Sequence, residues 1–198
     1  MVKIVKKLST NPNYFDGINP RNFITIHETA NKSKGANAEM HARYINNGSG
    51  ATWHFTVDDT QAIQHYTERT QCWHAGDNTG KGNTESIGIE ICVNEDGNYL
   101  KAVQNTAELV AELMKKHNIP IGNVKQHNHW SGKNCPTQLR NGSKGINWNQ
   151  FIEKVKNETK PKTNKLYRVQ VGAFKNLDNA NKLRNELIKK GYKDTFIN

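Results

Sequence analysis

The sequence predicts an α/β chain in which strands alternate with amphipathic helices, followed by a small C-terminal β-α-β unit. Three observations predict it. Residues 22–28 (NFITIHE) and 86–93 (SIGIEICV) alternate aliphatic with other side chains at a period of two, the signature of strands. Leu100, Val103, Ala107, Val110, Met114 and His117 recur at steps of three and four, one face of a helix. After the polar stretch TKPKTNK (159–165), which reads as a linker, the pattern restarts as strand, helix and strand.

In chain order, residues 22–28 place Ile24 and Ile26 on one side and Thr25 and His27 on the other, so His27 points away from the aliphatic face. Residues 37–46 form a short helix ended by Asn46-Asn47-Gly48, and 53–57 a strand that turns at Asp58-Asp59-Thr60 and returns along 61–66 as a hairpin. In 86–93, Ile87, Ile89, Ile91 and Val93 share one face, while Gly88, Glu90 and Cys92 share the other. A carboxylate in the middle of a central strand is costly to bury unless it is paired or used, and its small neighbours leave room beside it.

The helix of 100–117 closes with Lys115, Lys116 and His117, which suit the negative end of its dipole, before Asn118 and Pro120. Residues 122–126 lead into HNHWSGKNCP, and 147–158 form a closing helix. Beyond the linker, LYRVQVGAF reads as a strand, 178–190 as a helix capped by Asp178 and stopped by Gly191, and 192–197 as a strand. A unit of about 33 residues is too small to close a core alone.

The chain of 198 residues fits one ordinary domain and an appendage. Residues 159–198 hold 10 Lys/Arg against 3 Asp/Glu, so the tail carries +7 of the net +10. A basic tail attracts an anionic polymer, and nucleic acid, membrane surface and acidic cell wall all qualify. The near-neutral main domain has no basic aromatic stripe, which argues against nucleic acid as the partner. Residues 1–8 lack the apolar run and cleavage site of a secretory signal, and no segment reaches the length of a membrane span. Synthesis in the cytoplasm without membrane insertion is expected. Cys72, Cys92 and Cys135 make an odd count without disulfide spacing, so thiols are expected, one with a special task.

His27, Glu90, His127, His129 and Cys135 are the residues that could carry metal chemistry if the fold gathers them. A catalytic zinc takes three protein ligands and one open position, where a water becomes acidic near neutral pH. A lone histidine is ordinarily a hydrogen-bonded structural residue, and His41, His54, His65 and His117 are read that way; Cys72 and Cys92 are read as buried thiols.

IHET at His27, SIGIEICVN at Glu90 and QHNHWSGKNCP from Gln126 together resemble the type 2 N-acetylmuramoyl-L-alanine amidases of phage and bacilli, over roughly residues 20–150. The resemblance implies a mixed central β-sheet flanked by helices, related to peptidoglycan-recognition proteins. It implies one catalytic Zn2+ on His27, His127 and Cys135, with His129 a neighbour. Glu90 matches the family's acid/base carboxylate and Lys133 a lysine that stabilises the developing oxyanion. Trp53 stands where many relatives carry Tyr and is read as a wall of the cleft. CWHAGDN resembles a loop lining the substrate groove, with Trp73, His74 and Asn78 offered to sugar or peptide.

The tail resembles a SPOR repeat, which binds peptidoglycan glycan strands. That family generally has two β-α-β units where one is found here. Either the chain is a shortened form or two chains pair their tails, and the open strand edge of a lone unit favours a homodimer. The expected organisation is a zinc amidase domain at 1–158, a linker at 159–165 and a wall-binding half-repeat at 166–198. The expected activity is hydrolysis of the bond between N-acetylmuramic acid and L-alanine by a phage or prophage endolysin that reaches the wall at lysis. The alternative is a recognition protein that binds peptidoglycan without cleaving it; such proteins typically lack the Cys ligand.

Overall fold

The computed structural model describes residues 1–160 and 169–197, and the chain divides into two compact units, Met1–Pro161 and Lys162–Asn198. In the first unit, strands β1 (Ile4–Lys6), β2 (Tyr14–Ile18), β3 (Phe23–Glu28), β4 (Phe55–Val57), β5 (Ala62–Gln64), β6 (Thr70–Cys72), β7 (Ser86–Ile91) and β8 (Val124–Gln126) are interspersed with helices α1 (Ala38–Asn46), α2 (Lys81–Thr84), α3 (Tyr99–His117), α4 (Asn128–Ser131), α5 (Thr137–Asn141) and α6 (Trp148–Thr159). Six strands form one mixed sheet in the order β1-β5-β4-β7-β3-β8, and β2 pairs with β6 apart from it. This is the mixed central sheet flanked by helices that the family resemblance implies.

The centre of the sheet follows from its isoleucines. β3 and β7 run parallel with Ile24 opposite Ile87 and Ile26 opposite Ile89, and all four are fully buried. They pack on Val103, Leu109 and Val110 of α3 and on Phe151 and Val155 of α6. Each such side chain contributes roughly 1.5–3 kcal/mol by leaving water. Because strand side chains alternate, the same register puts His27 beside Glu90 on the opposite face, at the carboxyl end of both strands. On that face α1 covers Ile63 and Cys92 with Ala38 and Ala42.

The helices begin and end on local signals. Asn147 and Gln150 make a reciprocal capping box for α6, Asn98 caps α3, and Asn118 ends it in the left-handed region at φ 56°. The apolar face of α3 is displaced from the one the spacing suggests. Leu100 is 50% exposed, whereas Tyr99, Ala102, Thr106 and Leu113 join Val103 and Val110 inside. The cap at Asn98 sets this phase, placing Tyr99 on the inner side where its hydroxyl donates to Glu28 at 2.7 Å.

In the second unit the helix α7 (Leu177–Lys189) is present and stops near Gly191, whose φ of +98° favours glycine. Its cap is Asn176, which accepts from the Asp178 N–H at 2.7 Å; Asp178 lies in the first turn instead. Among the described residues no strand is assigned within 169–174 or 192–197, and residues 166–168 of the expected first strand lie outside the described residues. Val169, Val171, Leu177, Tyr192 and Phe196 are more than half exposed. No helix among the described residues is long and apolar enough to cross a membrane.

Candidate metal and catalytic site

Three chain segments converge at the carboxyl end of the parallel strands. His27 comes from the penultimate position of β3. β8 ends at Gln126, and the next residue, His127, donates its backbone N–H to the Ile26 carbonyl at 3.1 Å, so its side chain starts beside that of His27. The single turn α4 ends at Gly132 (φ 76°), and the chain doubles back to Cys135. Asn128 staples this reversal: its N–H donates to the Cys135 carbonyl at 3.0 Å and its amide to the Gly132 and Lys133 carbonyls at 2.7 and 3.0 Å.

Cys135 is held from below by a residue the sequence reading passed over. Glu28 directs its N–H at Cys135 Sγ, 3.5 Å away. Its carboxylate accepts from the Tyr99 hydroxyl at 2.7 Å and from the Gln138 and Leu139 N–H groups at 2.7 and 3.1 Å, the first turn of α5. Helix N-termini offer unpaired N–H groups and favour a negative charge, so Glu28 locks α5, and with it Cys135, onto the end of β3. The acidic residue directly after His27 was the available signal.

The result is a cluster in which one donor atom each of His27, His127 and Cys135 lies within 4.8 Å of the others. The Nδ1 atoms of the two histidines are 2.9 Å apart, and the three residues are 1%, 5% and 6% exposed. Burial holds the His127 imidazole down to about 4 and His27 well below the usual histidine range, assisted for His27 by His74 and His127. Both rings are therefore neutral at pH 7, the form that coordinates metal. Burial pushes the Cys135 thiol up to about 12, with Glu90 adding to the effect. A cation among these atoms would reverse that shift, since a coordinating thiol is deprotonated outright. Two nitrogens and one sulfur fit a zinc site with one position left open.

Glu90 stands at the edge of the cluster with Oε1 4.0 Å from His27 Nδ1 and 15% of its side chain exposed. Its Oε2 is buried without a hydrogen-bond partner. Burial raises this carboxyl to about 8, while Lys133 works against the rise and Glu28 adds to it. Lys133 is exposed, and its charge acts on His27, His127, Glu90 and Cys135 alike. Arg140 hydrogen-bonds Asn134 and Gln126 and is not paired with Glu90.

The remaining sequence candidates separate. His129 is exposed on α4 with its ring 4.7 Å from Trp130, outside the cluster, because the chain there is a helical turn and not the strand that would align it with His127. Trp53 is 6% exposed and packs with Ile45, Tyr66 and Cys72, its indole N–H donating to Thr56 at 2.7 Å. That enclosure leaves it no open face as a cleft wall. Trp73 is half-buried against Phe15 at 5.0 Å, and Asn78 is exposed at φ 53°. His74 is 7% exposed and turned inward onto His27, so it is not displayed to a groove. A cleft of about 910 Å³ opens beside β8 and α6, lined by Lys125, Gln126, His129 and Trp148 among others, and none of the three clustered residues lines it.

The chain is similar to several known proteins. CwlH, an N-acetylmuramoyl-L-alanine amidase of Bacillus subtilis (strain 168), is 45% identical over 157 residues, covering 77% of this chain and 61% of its own length. XlyA, an N-acetylmuramoyl-L-alanine amidase of the same organism, is 52% identical over 118 residues, covering 59% of this chain and 40% of XlyA. The chain thus spans about three fifths and two fifths of these relatives. The solved catalytic domain of XlyA superposes with a TM-score of 0.72 at 43% identity, covering 78% of this chain and 99% of that one. PlyL gives 0.69 at 38%, covering 77% and 96%. A SPOR domain profile matches residues 144–198, beginning ahead of α6 and well before the tail unit expected at 166. The profile of the N-acetylmuramoyl-L-alanine amidases matches residues 18–138, the stretch that supplies every residue of the cluster, and the chain belongs to that family.

Proposed function

We propose that the chain hydrolyses the amide bond between N-acetylmuramic acid and L-alanine in peptidoglycan, with one zinc ion held by His27, His127 and Cys135. The observation that carries this reading is the convergence of those three donor atoms within 4.8 Å beside the Glu90 carboxyl, whose Oε1 lies 4.0 Å from His27 Nδ1. Bound zinc would supply Lewis acidity, bringing the pKa of a water to about 7 and polarising the scissile carbonyl. Glu90 is suited to general acid/base work because its carboxyl stands at the cluster, with Oε1 4.0 Å from His27 Nδ1 and Oε2 free of any hydrogen-bond partner. It takes a proton from the attacking water and returns one to the departing amine of L-alanine. The Lys133 ammonium, whose charge reaches the whole cluster, stabilises the oxygen on which negative charge develops.

The proposed organisation is an amidase domain over residues 1–158, a linker at 159–165 and a glycan-binding half-repeat at 166–198. The SPOR match and the +7 charge of residues 159–198 support wall binding by the tail. Its exposed apolar residues favour pairing with a second copy. The reading extends to a phage or prophage endolysin that meets the wall at lysis. The alternative, a recognition protein without chemistry, is disfavoured by the joint presence of Cys135 and Glu90. Digestion of purified cell wall followed by mass spectrometry of the fragments tests the function. Free N-terminal alanine on released stem peptides is expected, and fragments cut only within glycan or within peptide would refute it.

A further inference from the structure

His74 is left without a task by the mechanism, and its surroundings supply one. It sits on the loop between β6 and α2, its ring at 87° to that of His27 with centroids 5.0 Å apart. The contact is polar: His74 Nδ1 lies 3.0 Å from His27 Nε2. The other nitrogen of His27, Nδ1, faces His127 and is the atom offered to a metal. A neutral imidazole that gives its Nδ1 lone pair to a cation carries its proton on Nε2. His74 Nδ1 is then the acceptor of that proton.

The fold provides a seat for the ring. A Cβ at Gly88 would stand 2.9 Å from three ring atoms of His74, closer than such carbons come, so this glycine, two residues before Glu90, is where the imidazole lies against β7. Asn83 Oδ1 accepts from both the His74 and the Ala75 N–H, at 2.8 and 2.7 Å, fixing the main chain beneath the ring. Asp77 in turn accepts from the Gly82 and Asn83 N–H groups at 2.7 and 3.2 Å. His54 props the same strand, accepting from the Gly88 N–H at 2.9 Å. Two residues after His74, Gly76 (φ +69°) passes so close to α4 that a Cβ there would lie 3.2 Å from Ser131 Oγ and 3.7 Å from His127 Nε2. A core filler would need only volume. This ring is oriented, and an apolar ring in its place would leave the His27 Nε2 proton buried without an acceptor.

We propose that His74 is a positioning residue for the metal site: it accepts the Nε2 proton of His27 and so aims His27 Nδ1 at the ion, with Gly88 and Asn83 holding it in place. Outer partners of this kind orient ligating histidines, and their loss typically costs about 10–100-fold in metal affinity. The inference rests on the zinc reading above.

The test is zinc affinity of the full chain, measured by competition with a chromophoric chelator, together with the visible spectrum of the Co2+-loaded protein. His74→Phe keeps a ring but removes the acceptor; its zinc affinity is expected to fall about 10–100-fold and its cobalt bands to change. His74→Asn sets an amide oxygen near the position of Nδ1 and is expected to restore most of the affinity. Wild-type affinity and an unaltered cobalt spectrum in His74→Phe would overturn the proposal, as would His74→Asn binding no better than His74→Phe. A lower thermal midpoint of the metal-free variant with unchanged affinity would assign His74 to packing alone and overturn it too. If His74→Phe does not fold, Gly88→Ala, which presses on the ring without removing it, carries the same expectation and the same refutation. A wild-type chain that takes up no zinc would refute the underlying zinc reading itself.

Discussion

His27 and Glu90 are register partners on the adjacent parallel strands β3 and β7, with Glu90 Oε1 4.0 Å from His27 Nδ1. The pairing fixes the proposed metal ligand and an ionisable carboxyl on one face through the backbone ladder of β3 and β7. Removing the carboxyl should therefore remove chemistry and spare the site. Glu90→Gln is expected to lower turnover on purified wall about 10²–10⁴-fold, the usual share of general acid/base catalysis. Its zinc content should stay at one per chain, and full activity of the variant would exclude the assigned role.

Metal removal should act on stability as well as activity. An ion that binds only the folded state stabilises it by about 2.7 kcal/mol at a hundredfold excess over its dissociation constant. Dialysis against a chelator is expected to abolish wall digestion and lower the thermal midpoint, and zinc should restore both. Cys135→Ser should bind zinc much more weakly. An unchanged melting curve after chelation would contradict this.

Acid should destabilise the metal-free chain steeply, because its interior holds several neutral histidines. Burial holds His54 down to about 4 and His65 to about 3, from 6.5. Below about 6.5 the unfolded chain binds protons that the folded chain does not, so stability falls as pH drops from there through about 4. At about 1.4 kcal/mol per pH unit, His54 alone accounts for on the order of 3 kcal/mol. Glu90 acts oppositely, since its raised pKa withdraws stability as pH climbs from about 4.5 to about 8. Thermal midpoints of metal-free protein between pH 7 and 4.5 check the first effect, and a flat profile would refute it. Glu90→Gln should flatten the alkaline side.

Glu28 should matter more than an exposed acid would. Glu28→Ala leaves the Gln138 and Leu139 N–H groups and the Tyr99 hydroxyl without their acceptor. Each buried orphan costs about 1–3 kcal/mol, so a loss of several kcal/mol is expected. Tyr99→Phe, which removes one hydrogen bond, should cost about 1 kcal/mol. Urea unfolding of the two variants separates them, and equal midpoints would contradict the clamp.

Light scattering of the full chain against residues 1–158 tests the pairing of tails. A dimer that becomes a monomer on truncation is expected; equal monomer masses would remove the idea.

Much of this was legible in the sequence because it is local. The period-two isoleucines of 22–28 and 86–93 specify which side of each strand is buried, and therefore that His27 and Glu90 share the other. The helices read over 37–46 and 147–158 start at Asn37 and Asn147, whose side chains cap them. What escaped was set by distant contacts. β1 is a three-residue edge strand whose pairing with β5 has no local signature, and α4 is one turn long. The resemblance of CWHAGDN to a groove loop placed His74 there, and nothing nearby in the chain says that Gly88 leaves space for its ring. Glu28 and Tyr99 lie 71 positions apart, so their bond is invisible until the fold closes. In the tail, the helix and its stop at Gly191 were readable, whereas its cap is Asn176 and not the expected Asp178.

The central claim is a three-ligand zinc site with one place open to substrate. Anomalous diffraction at the zinc absorption edge from crystals of the zinc-loaded chain tests it most directly. The account predicts a single peak within bonding distance of His27 Nδ1, His127 Nδ1 and Cys135 Sγ, with a solvent molecule as the fourth neighbour. A peak elsewhere, or one closed by a fourth protein ligand such as His129, would contradict it.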